Sequence, residues 1–97
     1  MPTRKAFIDK IKQQLDDLDR ECERLELKAE KAGEDVRHAW EARRLALREQ
    51  RQQLLARLDD AGAATDQAWE QVKRSLIDAR QKFAQGVQDV RQSLGQR

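Results

Sequence analysis

The sequence predicts an all-α protein, and three observations support that prediction. Charged residues make up 39% of the 97 residues and aromatic residues only 4%, which is typical of long, surface-rich helices or of disordered chains. Apolar residues recur at steps of three and four, the spacing of one helix face, and this favours helix over disorder. Pro2 and Thr3 stand where a helix would begin, because proline is tolerated in a first turn and threonine can cap one. The length predicts a single domain over residues 1–97.

The first apolar stripe spans four heptads and predicts a coiled-coil seam. Between its members stand almost exclusively Asp, Glu, Lys, Arg and Gln. After the fourth heptad the stripe slips by about one position, and arginines and glutamines separate its leucines, so looser packing is expected there. The stripe runs through Ile8, Ile11, Leu15, Leu18, Cys22, Leu25, Ala29, Ala32 and Val36, and then through Trp40, Leu47, Leu54, Leu58 and Ala61.

Residues 59–66 are the predicted break between helices. Gly62 can adopt the left-handed conformation that ends helices, and Thr65 or Asp66 can cap the helix that follows. Gly95 is expected to mark the end of that helix. Its stripe consists of Trp69, Val72, Leu76, Ala79, Phe83, Val87 or Gly86, Val90 and Leu94.

Gly33 leaves two folds open. As a helical glycine it costs about 1 kcal/mol relative to alanine and allows a long helix over about residues 3–60. That helix would pack with a shorter helix over about residues 66–94 as a coiled-coil hairpin. As a turn, Gly33 would instead divide the chain into a three-helix bundle. The seam spacing from Ala29 to Val36 is unbroken across Gly33, and the sequence therefore favours the hairpin.

The hairpin has a consequence for partners. Its long helix would span roughly 85 Å, and the shorter helix would cover only half of that length. The N-terminal heptads would then need another chain, so the sequence predicts a homo-oligomer or association with another helical protein. A three-helix bundle would bury its own apolar stripes and could be stable as a monomer.

The sequence contains no recognisable pattern of catalytic residues. Cys22 and His38 are the only cysteine and histidine, and on a continuous helix they would lie about 24 Å apart. Most carboxylates have Arg or Lys three or four residues away, which is the pattern of intrahelical ion pairs, and no spacing typical of metal ligands occurs. We therefore expect no enzyme, no cofactor, no metal site and no small-molecule substrate. Cys22 is expected to pack as a small apolar residue of the seam.

Cellular location is predicted from what the sequence lacks. One cysteine allows no internal disulfide and fits a reducing compartment. The first residues carry charges and no apolar run like that of a signal peptide, and no stretch approaches the roughly 20 apolar residues of a membrane-spanning helix. The expected location is cytoplasmic.

Two segments are similar to a known group of proteins. Residues 8–15 read Ile-Asp-Lys-Ile-Lys-Gln-Gln-Leu, and residues 68–73 read Ala-Trp-Glu-Gln-Val-Lys. With these segments the whole chain resembles a loose group of short bacterial coiled-coil proteins described as apolipoprotein-like. The group often has a second Ala-Trp pair further along, where this chain has Ala79 followed by Arg80. The resemblance implies a helical hairpin and transfers no functional residue.

Three functions follow from these patterns, in order of preference. The first is a non-enzymatic interaction or scaffold protein that self-associates or binds a partner helix through its seam. The second is a peripheral lipid- or granule-surface binder that uses the C-terminal amphipathic helix. The third, nucleic-acid binding through a basic face, is the least favoured, because the arginines there are expected to pair with acidic residues of a neighbouring helix. The interaction seam comprises Ile8, Ile11, Leu15, Leu18, Cys22, Leu25, Val36, Trp40, Leu47, Leu54, Trp69, Val72, Leu76, Phe83 and Val90, and the basic face comprises Arg37, Arg44, Arg48 and Arg51.

Overall fold

A computed structural model describes residues 3–95, and within that range the chain is all-helical, with no strand. Helix α1 spans Arg4–Lys31, α2 spans Glu34–Ala63 and α3 spans Trp69–Gly95. The prediction of an all-α protein is confirmed.

Helix α1 begins with a side-chain cap. The Thr3 hydroxyl oxygen accepts a hydrogen bond from the backbone N–H of Ala6 at 3.1 Å, which satisfies one of the donors that a helix start leaves free. The predicted cap at Thr3 is confirmed, while Pro2 lies outside the described residues. At the other end, Lys28 and Lys31 occupy the last turn, where positive charge complements the helix dipole.

The predicted single helix over about residues 3–60 is interrupted at Ala32 and Gly33. Ala32 has φ −89° and ψ 177°, and Gly33 has φ −68° and ψ 173°, so both are extended. The described residues extend 51 Å along their longest axis, far less than a continuous helix of that length would need. The break lets α1 fold back and bury its apolar face on α2 and α3. A straight helix would leave that face in water.

The second predicted break differs in position. Helix α2 continues through Gly62 to Ala63, and α3 begins at Trp69, three residues later than expected. No glycine within residues 3–95 has a positive φ, so the left-handed termination predicted at Gly62 is wrong. Thr65 does cap the turn that leads into α3, because its hydroxyl oxygen accepts a hydrogen bond from the N–H of Ala68 at 3.2 Å.

One apolar core joins the three helices, and each helix contacts both others, α2 and α3 most closely. Every predicted seam position either belongs to this core or packs against it. No polar side chain within residues 3–95 is buried as a whole. The buried residues are Ile11, Leu15, Leu25, Ala29, Val36, Ala39, Trp40, Leu47, Leu54, Leu58, Ala61, Leu76, Ala79, Phe83, Val87, Val90 and Leu94.

Arg4 ties the start of α1 to the end of α2. Its guanidinium donates hydrogen bonds to the carbonyl oxygen of Ala61, at 3.0 Å, and to that of Ala64. These carbonyls belong to a helix end, where backbone acceptors lack partners within the helix. The same guanidinium lies 4.9 Å from the ring centroid of Trp69 and 3.6 Å from a carboxylate oxygen of Asp66. Arg4 therefore acts as a cap supplied from a distant part of the chain.

Phe7 extends the contacts around Arg4. Its ring meets the ring of Trp69 edge-to-face, with centroids 6.0 Å apart and an interplanar angle of 86°, an arrangement that aromatic pairs prefer. The ammonium group of Lys73 lies 5.2 Å from the centroid of the Phe7 ring. Together these contacts close the end of the molecule where α1 starts and α3 starts.

A proline at the α1–α2 junction tests whether the break exists in solution. We expect Gly33→Pro to leave the free energy of unfolding unchanged or to raise it by up to about 1 kcal/mol. The φ of Gly33 already matches that of proline, and the extended Ala32 suits a residue that precedes proline. In a continuous helix the same change would cost about 3 kcal/mol. Urea unfolding followed by circular dichroism measures the difference, with Gly62→Pro, inside α2, as a control that should lose about 3 kcal/mol.

Removal of the long-range cap should weaken the fold. We expect Arg4→Met to lower the free energy of unfolding by about 1–2 kcal/mol, because two backbone carbonyls lose a charged donor. Lys5→Met is the matched control, since Lys5 is exposed and should change stability by less than about 0.5 kcal/mol. Urea unfolding of both variants gives the comparison. Equal losses in the two would show that the Arg4 contacts contribute nothing specific.

Candidate interaction site

A recess of about 160 Å³ opens where α1, α2 and α3 meet. Its inner wall is apolar and its rim carries three arginines and one aspartate. The wall consists of Cys22, Trp40, Leu47 and Phe83, and the rim of Asp19, Arg44, Arg48 and Arg51. The volume resembles that of a cavity able to hold one small aromatic ring, so the recess can receive a single apolar side chain.

An ion pair crosses from α1 to α2 at the rim of this recess. The Nε of Arg51 lies 2.8 Å from Oδ1 of Asp19, and one of its terminal nitrogens lies 3.1 Å from Oδ2. This two-pronged geometry is the strongest form of an arginine–carboxylate contact, and the hydrogen bond to Asp19 raises the pKa of Arg51 above its usual value. Because both side chains are partly exposed, the pair contributes at most about 1 kcal/mol. Its main effect is to fix the register of α1 against α2.

The predicted basic face is only partly available to a polyanion. Arg51 pairs with Asp19 on another helix, as the sequence interpretation expected, and Arg44 lies 3.5 Å from a carboxylate oxygen of Glu41 on its own helix. Within the part of the chain that the structure describes, no ion pair involves Arg37 or Arg48. The four arginines therefore do not form an uncompensated row of positive charge.

Cys22 is held as a neutral thiol. Burial, together with the neighbouring carboxylates of Asp19 and Glu21, raises its pKa to about 11, and Arg51 opposes this rise in part. A thiol must lose its proton to act as a nucleophile or to bind a metal, so Cys22 is protonated at neutral pH. His38 is exposed and does not line the recess. Among the described residues, no group of three His, Cys, Asp or Glu side chains is placed to hold a metal ion.

The apolar stripe of α1 is covered unevenly. Ile11, Leu15 and Leu25 are buried, whereas Ile8 and Leu18, like Cys22 beside the recess, are only partly buried. A second ion pair, in which Arg91 of α3 lies 3.6 Å from Glu21 of α1, spans the opposite flank. Between the buried Leu15 and Leu25, the predicted seam is thus only partly covered at Leu18 and Cys22.

The apolar face of α3, which was predicted to bind lipid as an alternative function, is turned inward. Leu76, Phe83 and Val90 are buried, and Trp69 and Val72 pack against the same core. At residue 86 a glycine allows α2 to come close, because an added Cβ would press against the side chains of Leu47 and Gln50. None of the helices within residues 3–95 offers an apolar stretch of the length needed to cross a membrane.

Sequence reasoning found the apolar wall of the recess but not its polar rim. Cys22, Trp40 and Phe83 were predicted as seam positions, and they meet here. Asp19 was not singled out, although, unlike most carboxylates of the chain, it has no Arg or Lys three or four residues away; that signal shows a missing local partner but not the actual one, which lies 32 positions away. Comparison with known proteins adds no functional residue: no protein-family model, no curated protein and no solved structure matches this chain.

The raised pKa of Cys22 predicts slow alkylation. At neutral pH we expect iodoacetamide to modify Cys22 of the folded protein about 100-fold more slowly than in denaturant, because a shift of about two units reduces the thiolate fraction by that factor. The folded-state pKa is raised, so the neutral thiol favours folding below pH 9, and this contribution is lost as the pH rises from about 9 to about 11. Mass spectrometry of timed samples measures the rate. Equal rates in the folded and unfolded protein would contradict the placement of Cys22.

Proposed function

We propose that this chain is a non-enzymatic helical interaction protein that binds an apolar helix face along α1. The partner is a second copy of the chain or another helical protein. The observation that carries the proposal is the uneven cover of α1, where Leu18 and Cys22 stay partly open although they belong to the same stripe as the buried Leu15 and Leu25.

The recess beside this open stretch supplies a natural anchor point. It can take one apolar side chain against Trp40 and Phe83, and Arg48 at its rim can pair with a carboxylate next to that side chain. Tryptophan and arginine are the residue types that dominate binding energy at protein interfaces. An amphipathic helix that brings one apolar anchor and a flanking acidic residue therefore fits the chemistry of this surface.

The chemistry of the described residues favours binding over catalysis. The single thiol of the chain is protonated at neutral pH, which disfavours a nucleophilic role.

The lipid-surface and nucleic-acid functions stay predictions. Lipid binding through α3 would require the bundle to open, because its apolar face lies in the core. Polyanion binding would have to compete with the pairs that Arg44 and Arg51 already form. Flotation with anionic vesicles and a salt titration of DNA binding test these two functions directly.

Two substitutions test the proposed interaction face. We expect Leu18→Asp to lower the free energy of unfolding by about 2 kcal/mol, because a charge enters a half-buried apolar site. It should also reduce the fraction of associated protein at concentrations where circular dichroism shows that the variant is folded. Arg43→Ala, an exposed change outside the recess, should alter stability by less than about 0.5 kcal/mol and leave self-association nearly unchanged.

Multi-angle light scattering over a range of concentrations reports the association. A mass above one chain that falls in Leu18→Asp supports the proposal for self-association. Equal effects of the two substitutions would show that the wrong face has been assigned. A wild-type mass of one chain at every concentration would remove self-association altogether.

A further inference from the structure

We propose that two copies of this chain exchange α1 by straightening the Ala32–Gly33 junction, which gives an antiparallel dimer with a continuous helix over residues 4–63 in each copy. In that dimer α1 of one copy packs on α2 and α3 of the other. The inference goes beyond the proposed function: it rests on self-association, takes the partner to be a second copy, and places the contact on the buried face of α1 as well as beside the recess.

The junction has few interactions that hold it bent. It consists of Ala32 and Gly33, and Gly33 caps α2 without any side-chain hydrogen bond. No atom lies within 4 Å of the position where a Cβ of Gly33 would stand. Neither residue has a positive φ, so a change to helical angles moves through ordinary backbone conformations. Short connections of this kind favour exchange of elements between copies.

The apolar stripe stays on one side when the junction straightens. Ala29 and Val36 flank the junction, both are buried, and they are seven residues apart. Seven residues return to nearly the same side of an α-helix. A continuous helix would therefore present the apolar faces of α1 and α2 in the same direction. An antiparallel second copy could then cover both faces at once. The α2 helix of the second copy would pack on α1 of the first, and the α1 helix of the second copy would pack on α2 of the first.

The contacts that hold α1 in one chain can all re-form between two chains. Asp19 would pair with Arg51 of the second copy, and Glu21 with Arg91, as they now do within one copy. Arg4 would cap the carbonyl oxygens at the end of the other copy's α2. The two states therefore differ chiefly at the junction and in the entropy of association, so protein concentration selects between them.

Charges next to the junction suit both states. In the bent state Lys31 ends α1, while Glu34 and Asp35 begin α2, which complements the dipoles of both helices. In the straight state Lys31 stands three residues before Glu34 and four before Asp35, where oppositely charged side chains meet on one helix. These charges therefore destabilise neither the bent nor the straight state, and they do not oppose exchange between the two.

A charge-exchange experiment distinguishes this dimer from any other. Asp19→Arg alone places two arginines opposite each other, and Arg51→Asp alone places two aspartates opposite each other, both in the monomer and in any dimer of like chains. A mixed dimer with exchanged α1 helices restores an opposite-charge pair at both positions. The two variants are unfolded together, refolded together and analysed by native mass spectrometry, which separates the three dimers because the variants differ in mass.

The expected result is a mixed dimer enriched about tenfold over the statistical ratio, since two ion pairs are restored in it and none in either dimer of like chains. The chain that carries both Asp19→Arg and Arg51→Asp is the matched control. Mixed with the wild-type chain, it should give a depleted mixed dimer, because exchange of α1 between these two chains places two arginines opposite each other at one contact and two aspartates at the other, whereas each dimer of like chains keeps both ion pairs. Gly33→Pro in both single-variant backgrounds should abolish the mixed dimer, because proline cannot occupy the interior of a straight helix.

The outcomes separate the two proposals. Dimers that form in the statistical ratio, or that survive Gly33→Pro, would overturn the exchange of α1 and leave self-association standing. Failure of the wild type and of every variant to form any dimer would overturn both. Enrichment that is lost with Gly33→Pro supports the exchange.

Discussion

Burial of one apolar stripe governs this structure. The chain has many charged residues and few large apolar ones, so nearly all of its hydrophobic stabilisation comes from a single row of side chains along each helix. The stripe of α1 can be covered only by α2 and α3 when the chain is alone. Folding back at Ala32 and Gly33 follows from that need, and the charged side chains are left on the surface, where most of their ion pairs contribute little.

Local spacing predicted which residues are buried, because burial in an amphipathic helix depends on the face of that same helix. Leu15, Leu54 and Phe83 could be assigned without knowledge of their neighbours. The position of the breaks was less predictable. Spacing across Gly33 is the same in a straight helix and in two helices that bury the same stripe, so the heptads did not distinguish them. Gly62 was taken as a break because glycine often ends helices, yet at the end of α2 its helical cost is small and the helix runs on.

The polar part of the candidate site lay beyond the reach of sequence reasoning for a different reason. Asp19 and Arg51 are ordinary members of a charged surface until the chain folds back and brings them within 2.8 Å. Arg4 likewise finds the carbonyl oxygen of Ala61 only because α1 starts where α2 ends. None of these three side chains has an oppositely charged residue three or four positions away on its own helix, so spacing shows that a local partner is missing but does not identify the distant one.

The exchange that we propose gives the ambiguity at Gly33 a physical meaning. On that proposal, a bent and a straight arrangement bury the same stripe, keep the same ion pairs and differ in the backbone only at Ala32 and Gly33. At low protein concentration the bent form is favoured, because it covers α1 within one chain and avoids the entropy lost on association. At high protein concentration the straight form is favoured, because it restores the helical hydrogen bonds that Ala32 and Gly33 interrupt. On the same proposal, the seam that holds one copy together is also the surface that binds a second copy, and protein concentration decides between the two arrangements.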